Sequence, residues 1–361
     1  VERPLLKPFL RVHRRAGEPH LYIGVGPDKV RLADPDEQAV RFISELEGEQ
    51  TVAALRAAYP KADEWIAALE AAGVLDDAAG PPRIAAAEAE RWSRQINYLR
   101  LYDRPGWNGF TGQRRISEAH VVVVGTGAGG TTLLRLLNAA GVGKLTAVDF
   151  DTFALDNLPT HATLDERDVG SAKVEAVARH LREQNSRTEY AGLDQAISGP
   201  DDLVELVDGA DFFVQAYDRP RALAARWSNE ASLRTGVPLT SIGATDKGAR
   251  VGPTVIPGQT PCWECVGIDG GDILRPEHTA ALTGATVAML AGIAVNEMLA
   301  VLSGARPART AGRSLYIDTD ALTFTFTEYS VKAGCVCAGY RPGAAVAMGG
   351  RGQPTQPLEA R

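Results

Sequence analysis

From residue 120 onward the apolar positions alternate between two rhythms. Short continuous runs at 120–125, 145–150, 212–216 and 239–243 read as strands buried on both faces. Between them, 131–140, 172–183 and 222–235 carry apolar residues at three- and four-residue spacing, the signature of amphipathic helices. Strands separated by helices predict an α/β, Rossmann-like domain with a mainly parallel sheet covered on both faces. The first 78 residues have another rhythm. Extended runs at 8–13, 20–25 and 29–33 are broken by Ala16-Gly-Glu-Pro and Gly26-Pro27. Three helical stretches follow: one opened by Asp34 with Val40, Phe42, Ile43 and Leu46, then 51–58, then 62–72 with Trp65, Ile66 and Leu69. This predicts a small winged-helix-like α+β domain over 1–78. Asp77-Ala-Ala-Gly-Pro-Pro opens a linker, 79–90, and a helical stretch runs over 84–92. The larger domain is expected over 91–340, and the aperiodic, Gly/Pro-rich segment 341–361 reads as a disordered tail.

A length of 361 residues fits two domains, and 45% hydrophobic with 23% charged residues is ordinary for a globular chain. The net charge of −7 argues against a nucleic-acid partner. No run approaches the roughly 20 apolar residues of a membrane span. Val1-Glu-Arg-Pro offers no signal-peptide core, although a start at Val1 leaves a longer natural leader open. The expectation is a cytoplasmic protein with no membrane partner.

The candidate chemistry begins where the first buried strand, from Val121, enters Gly125-Thr-Gly127-Ala-Gly-Gly130 and a helix. Glycines at these spacings allow a tight turn and close approach of a phosphate, and the helix start offers free N–H groups to it. Asp149, at the end of the next strand and 19 residues after Gly130, suits a ribose hydroxyl. These residues describe a nucleotide-binding unit, and a dehydrogenase fits them too.

Further motifs follow: Asp149-Phe-Asp151, Asn157-Leu, Gly170-Ser-Ala-Lys173 and Gln215-Ala-Tyr-Asp218-Arg-Pro. With this ordered set, the chain from about 91 to 339 resembles the ThiF-like, ubiquitin-activating-type adenylyltransferases. That group includes the molybdopterin-synthase and microcin C peptide enzymes. The resemblance implies ATP and Mg²⁺ as cofactors, an ATP site of Gly125, Gly127, Gly130, Asp149, Asp151 and Asn157, and catalytic roles for Arg94, Lys173 and Asp218. Asp149 would hold the ribose, Asn157 and Lys173 the triphosphate, and Asp218 the Mg²⁺. Arg94, in Arg94-Gln95-Ile96, would reach the partner's site in a homodimer. Attack of a carboxylate on the α-phosphate concentrates negative charge on phosphoryl oxygens, so fixed cations and a metal lower the barrier. The nucleophile is already ionised at neutral pH and needs no general base. One position departs from the family pattern: Thr160 stands where an Arg is usual, followed by His161. Either His161 or Arg219 substitutes for that cation, or the site is weakened, as in leader-binding relatives that serve cyclodehydratases.

Cys262-Trp-Glu-Cys265 and Cys335-Val-Cys337 are the only cysteines, the two pairs separated by 69 residues. Two close pairs suit a structural Zn²⁺ with four thiolates, and a reduced buried set without metal is the plainer reading. A closed four-thiolate site leaves no thiol for a thioester, so the expected product is an acyl-adenylate or its direct descendant. Between the pairs, Arg275 and His278 lie in a Gly-rich stretch as candidate substrate contacts.

The N-terminal region resembles a PqqD-like RiPP recognition element. A winged-helix DNA binder is the alternative, but residues 1–78 hold 10 Lys and Arg against 14 Asp and Glu. A leader peptide would add as a strand beside 29–33. The whole then reads as an ATP- and Mg²⁺-dependent adenylyltransferase for a carboxylate, the C-terminal one, of a ribosomal precursor peptide. A non-catalytic leader-binding scaffold for a YcaO-type cyclodehydratase and activation of a ubiquitin-like sulfur carrier are the alternatives.

Overall fold

The computed structural model describes residues 1–24, 30–34, 36–79, 86–104, 106–217, 221–245, 248–267 and 283–340. They form two compact units, Val1–Thr111 and Gly112–Arg361. In the first, β1 (Pro4–Leu6) pairs antiparallel with β5 (Leu75–Asp77). A separate antiparallel sheet of order β2-β3-β4 comprises β2 (Val12–Arg14), β3 (His20–Ile23) and β4 (Val30–Ala33). Helices α1 (Gln38–Ser44), α2 (Val52–Ala58) and α3 (Ala62–Ala71) follow. Thr51 caps α2 by accepting from the Ala54 N–H. Leu21, Ile23, Leu32, Phe42, Leu46, Leu55, Trp65 and Leu69 make one core.

The unit continues through α4 (Ala86–Arg91) and α5 (Ser93–Leu99). Buried Arg100 pairs with Asp76 and lies between the rings of Phe9 (5.2 Å) and Phe110 (5.5 Å). Buried Lys7 donates to Asp103 at 2.7 Å and to the Arg100 carbonyl at 3.2 Å. These contacts hold the segment around residue 100 to Asp76 on β5 and to Lys7, just after β1. The boundary between units falls inside α6 (Gly109–Glu118).

The second unit is built on one eight-stranded sheet of order β13-β12-β11-β10-β9-β6-β7-β8. β6 (His120–Val124), β7 (Lys144–Asp149), β8 (Glu189–Asp194), β9 (Phe212–Gln215) and β10 (Leu239–Thr245) are parallel. β11 (Gly248–Val251), β12 (Arg313–Asp318) and β13 (Thr323–Glu328) extend the sheet antiparallel. Strand order reverses between β6 and β9, so the crevice at their carboxyl ends is where such a sheet binds ligands. The strands β6, β7, β9 and β10 and the helices α7 (Ala128–Ala139), α8 (Lys173–Gln184) and α10 (Arg221–Thr235) follow the sequence expectation, whereas β8 and α9 (Pro200–Val207) were not expected.

Beyond β10 come α11 (Trp263–Val266) and α12 (Gly284–Ser303). The expectation that no run approaches a membrane span is corrected here: α12, with 20 residues, is long and apolar enough by length and composition. Half of its apolar window is nevertheless buried in this unit, where it packs on α7, β10 and β11. Its buried Glu297 pairs with Arg306 at 2.7 Å and accepts from the Thr310 N–H at 3.0 Å, arrangements of a core helix. The expected tail and half of the expected linker, 80–85, lie outside the described residues.

Candidate active site

The loop after β6 assigns different jobs to its glycines. Gly125 has φ +95°, and a Cβ there would lie 2.6 Å from the Ala216 carbonyl oxygen. A Cβ on Gly130 would lie 1.8 Å from the Gly125 oxygen. Both glycines are therefore required by the protein's own backbone. Gly127 is different. It is the N-cap of α7, it offers no side chain to cap the helix, and nothing lies within 4 Å of an added Cβ. Open space thus faces uncapped N–H groups at the positive end of a helix, the setting in which a phosphate is held.

Asp149 closes the other side. Its Oδ2 accepts from the Thr126 N–H (2.5 Å) and hydroxyl (3.0 Å), and its Oδ1 accepts from the Asp151 N–H at 2.9 Å. The carboxylate thereby sets both the glycine turn and the turn after β7, with acceptor capacity left for a hydroxyl. Asp151 in turn meets Lys173, whose buried Nζ donates to Oδ2 at 2.9 Å while the Lys173 N–H bonds the Asp151 carbonyl at 3.0 Å. A lysine at the first residue of α8 opposes that helix's dipole, which makes its ammonium a poor structural choice and a good anion ligand. Asn157 lies half-buried in the turn Leu155–Thr160, with its Nδ2 on Asp156 at 3.1 Å and its Oδ1 accepting from the Ala154 N–H at 3.3 Å.

His161 is the residue whose setting the sequence did not disclose. Its Nδ1 donates to the Asn157 carbonyl at 2.9 Å, and its ring stands edge-on to buried Phe153 at 5.0 Å. Burial, aided by Lys173, pushes the imidazole below its usual pKa. A neutral ring is no standing cation, so His161 does not replace the missing Arg in that way. Thr160 spends its hydroxyl on the Asn157 carbonyl at 2.9 Å. Arg94 is exposed on α5 of the N-terminal unit and has no ion pair among the described residues. Asp218, Arg219, Arg275 and His278 lie outside the described residues. Just before them, Gln215 Nε2 donates to the Tyr217 carbonyl at 2.8 Å and fixes the turn leaving β9. Asp165, Asp168 and His180 also converge. Their carboxylates are engaged by Arg167 at 2.7 Å, Arg179 at 2.5 Å and His180 at 2.8 Å, which ties this turn onto α8.

The four cysteines come together as expected. Sγ separations are 3.5 Å for Cys262 and Cys335, 3.4 Å for Cys265 and Cys337, and 3.6 Å for Cys335 and Cys337. Zn–S bonds of about 2.3 Å in a tetrahedron require S···S near 3.8 Å, whereas a disulfide needs about 2.05 Å. The set fits Zn²⁺. The Lys332 N–H donates to Cys265 Sγ at 3.4 Å, a further bond suited to a thiolate. Such an ion would tie the segment after β13 to α11 and supply no reaction step.

Residues 93–337, more than half of the chain, match the ThiF family. The chain belongs to the ThiF family. This ThiF-family chain is 30% identical over 277 residues to the adenylyltransferase and sulfurtransferase MOCS3 of Sus scrofa, covering 73% of the chain and 56% of that protein. It is 31% identical over 219 residues to the sulfur carrier protein ThiS adenylyltransferase of Bacillus subtilis, covering 59% and 61%. The match thus spans little more than half the length of these relatives. Escherichia coli MccB, crystallised with succinimide, shares the fold with a TM-score of 0.81 at 19% identity, over 94% of this chain and 99% of that one.

Proposed function

We propose that this chain is a cytoplasmic adenylyltransferase that transfers AMP from ATP to the C-terminal carboxylate of a ribosomally made precursor peptide. Residues 1–78 would bind the leader as a PqqD-like element, with 79–90 as linker and 91–340 as the adenylation domain. The observation that carries the reading is buried Lys173, paired with Asp151 just after β7, at the same carboxyl end of the parallel sheet as the uncapped start of α7. A carboxylate oxygen attacks the α-phosphorus; the bond to the bridging oxygen breaks, and its electron pair leaves with pyrophosphate. Lys173 would neutralise charge on the phosphates and Asn157 would orient them, while Asp149 holds the ribose. Mg²⁺, placed by Asp218, would supply the remaining positive charge. Arg94 would complete the site of the second copy in a homodimer. Names of relatives support the reaction class. Solved structures of MccB with ATP and with MccA support a nucleotide and a peptide as ligands.

A second reading rests on Thr160 and the neutral His161: a scaffold that presents a leader peptide to a cyclodehydratase. The names of the relatives favour a third, activation of a sulfur carrier protein. ATP–pyrophosphate exchange measured with short peptides encoded beside the gene separates these. Exchange that depends on peptide supports the proposal; its absence with a peptide shown to bind refutes it, and exchange only with a carrier protein favours the third.

A further inference from the structure

We propose that His161 is a positioning residue for the nucleotide, a bridge between the Asn157 turn and the glycine turn that is completed when the ring takes up a proton on ATP binding. The inference rests on ATP being the ligand, as proposed above. One end of the bridge exists already: Nδ1 must carry the hydrogen, because the Asn157 carbonyl at 2.9 Å can only accept. The other end is open. Nε2 is buried and makes no hydrogen bond of normal geometry among the described residues, a costly state for a polar atom. The Thr126 backbone beside the ring favours its protonated form, as a carbonyl does, so an N–H on Nε2 would find an acceptor in the glycine turn.

Among the described residues, two charged groups act on the imidazole. Lys173, at the start of α8 and itself paired with Asp151, disfavours a second cation, and Asp149, at the end of β7, favours one. Burial tips this balance toward the neutral ring in the free protein. Phosphates drawn to the open start of α7 and to Lys173 bring negative charge to the same site, which favours the imidazolium. In that state both ring nitrogens donate, and the turn carrying Asn157 is held against Thr126, whose N–H and hydroxyl are already fixed by Asp149.

The sign follows from linkage. The free ring titrates below its usual value, and the negative charge of bound phosphates raises it, so ATP binding takes up protons between the two values and weakens as pH rises through the upper one. Calorimetric titration of the full chain with Mg·ATP, in buffers of low and high ionisation heat near pH 7, counts those protons. Uptake of a measurable fraction of one proton is expected in the wild type and is lost in His161→Asn, with affinity reduced about tenfold. Equal proton counts in the two proteins overturn the proposal. In the folded wild type, nitrogen NMR of labelled histidine gives a second reading. A ring with both nitrogens protonated in the ATP complex supports the bridge, and a ring that stays neutral overturns it. Binding without uptake sinks this proposal alone, whereas no binding of Mg·ATP sinks the adenylyltransferase reading as well.

Discussion

Replacing Lys173 by Met removes the ammonium and keeps an unbranched stem of similar length in the same buried channel. The side chain of Lys173 is 10% exposed and that of Asp151 is 54% exposed, so the stranded carboxylate turns to water instead of remaining buried and unpaired. The stability cost of the lost pair is therefore about 1 kcal/mol or less. Removing a cation from the first residue of α8 offsets part of it. A change of that size moves Tm by about 2–4 °C in a unit of roughly 250 residues. The effect on chemistry is far larger. A fixed charge that stabilises phosphoryl oxygens in the transition state accounts for about 100- to 1,000-fold in rate when removed. Peptide-dependent ATP–pyrophosphate exchange by Lys173→Met is expected to fall by that factor, with peptide affinity and far-UV dichroism unchanged. Exchange within about threefold of wild type, or a parallel loss of exchange and peptide binding, would refute the placement of the site.

Gly127→Ala should fold normally and lose ATP affinity, because its Cβ enters the open space at the start of α7. Gly130→Ala should fail as a fold, since its Cβ meets a backbone oxygen at 1.8 Å; thermal melts beside nucleotide titrations separate the two. Arg100→Met strands Asp76 in a largely buried setting and should cost about 3–5 kcal/mol in urea unfolding of the N-terminal unit. Cys335→Ser, or treatment with a strong chelator, should release about one zinc per chain in metal analysis. It should also raise protease sensitivity near residue 335 while sparing the nucleotide loop.

The parallel strands β6, β7, β9 and β10 could be read from the sequence because both of their faces are covered, leaving unbroken runs such as Val121 to Val124, whereas β8, with no buried residue, left no such run. β13 escaped notice for the opposite reason. Thr323-Phe-Thr-Phe-Thr alternates, and every residue of β13 is exposed, so no continuous apolar run marks it. The pairing of Pro4–Leu6 with Leu75–Asp77 joins three-residue strands from the two ends of the small domain, too short for periodicity to register. α12 shows the limit of scanning for apolar runs, since Gly, Ala and Thr dilute its sequence although it meets the composition of a span. Residue types and order were enough to nominate Asp149, Asp151, Asn157 and Lys173 as candidates, and to expect the clustering of the cysteines. The Lys173 pairing with Asp151, the use of Gly125 and Gly130 for backbone approach, and the burial of His161 against Phe153 depend on how distant segments pack.

The central claim, attack of a peptide carboxylate on the α-phosphorus of ATP, is tested most directly by isotope transfer. A peptide labelled with oxygen-18 in its C-terminal carboxylate would be incubated with the full chain and Mg·ATP, and the released nucleotide examined by mass spectrometry after hydrolysis of the mixed anhydride. The account predicts AMP carrying one label, together with unlabelled pyrophosphate. Unlabelled AMP, or ADP with phosphate, would contradict it.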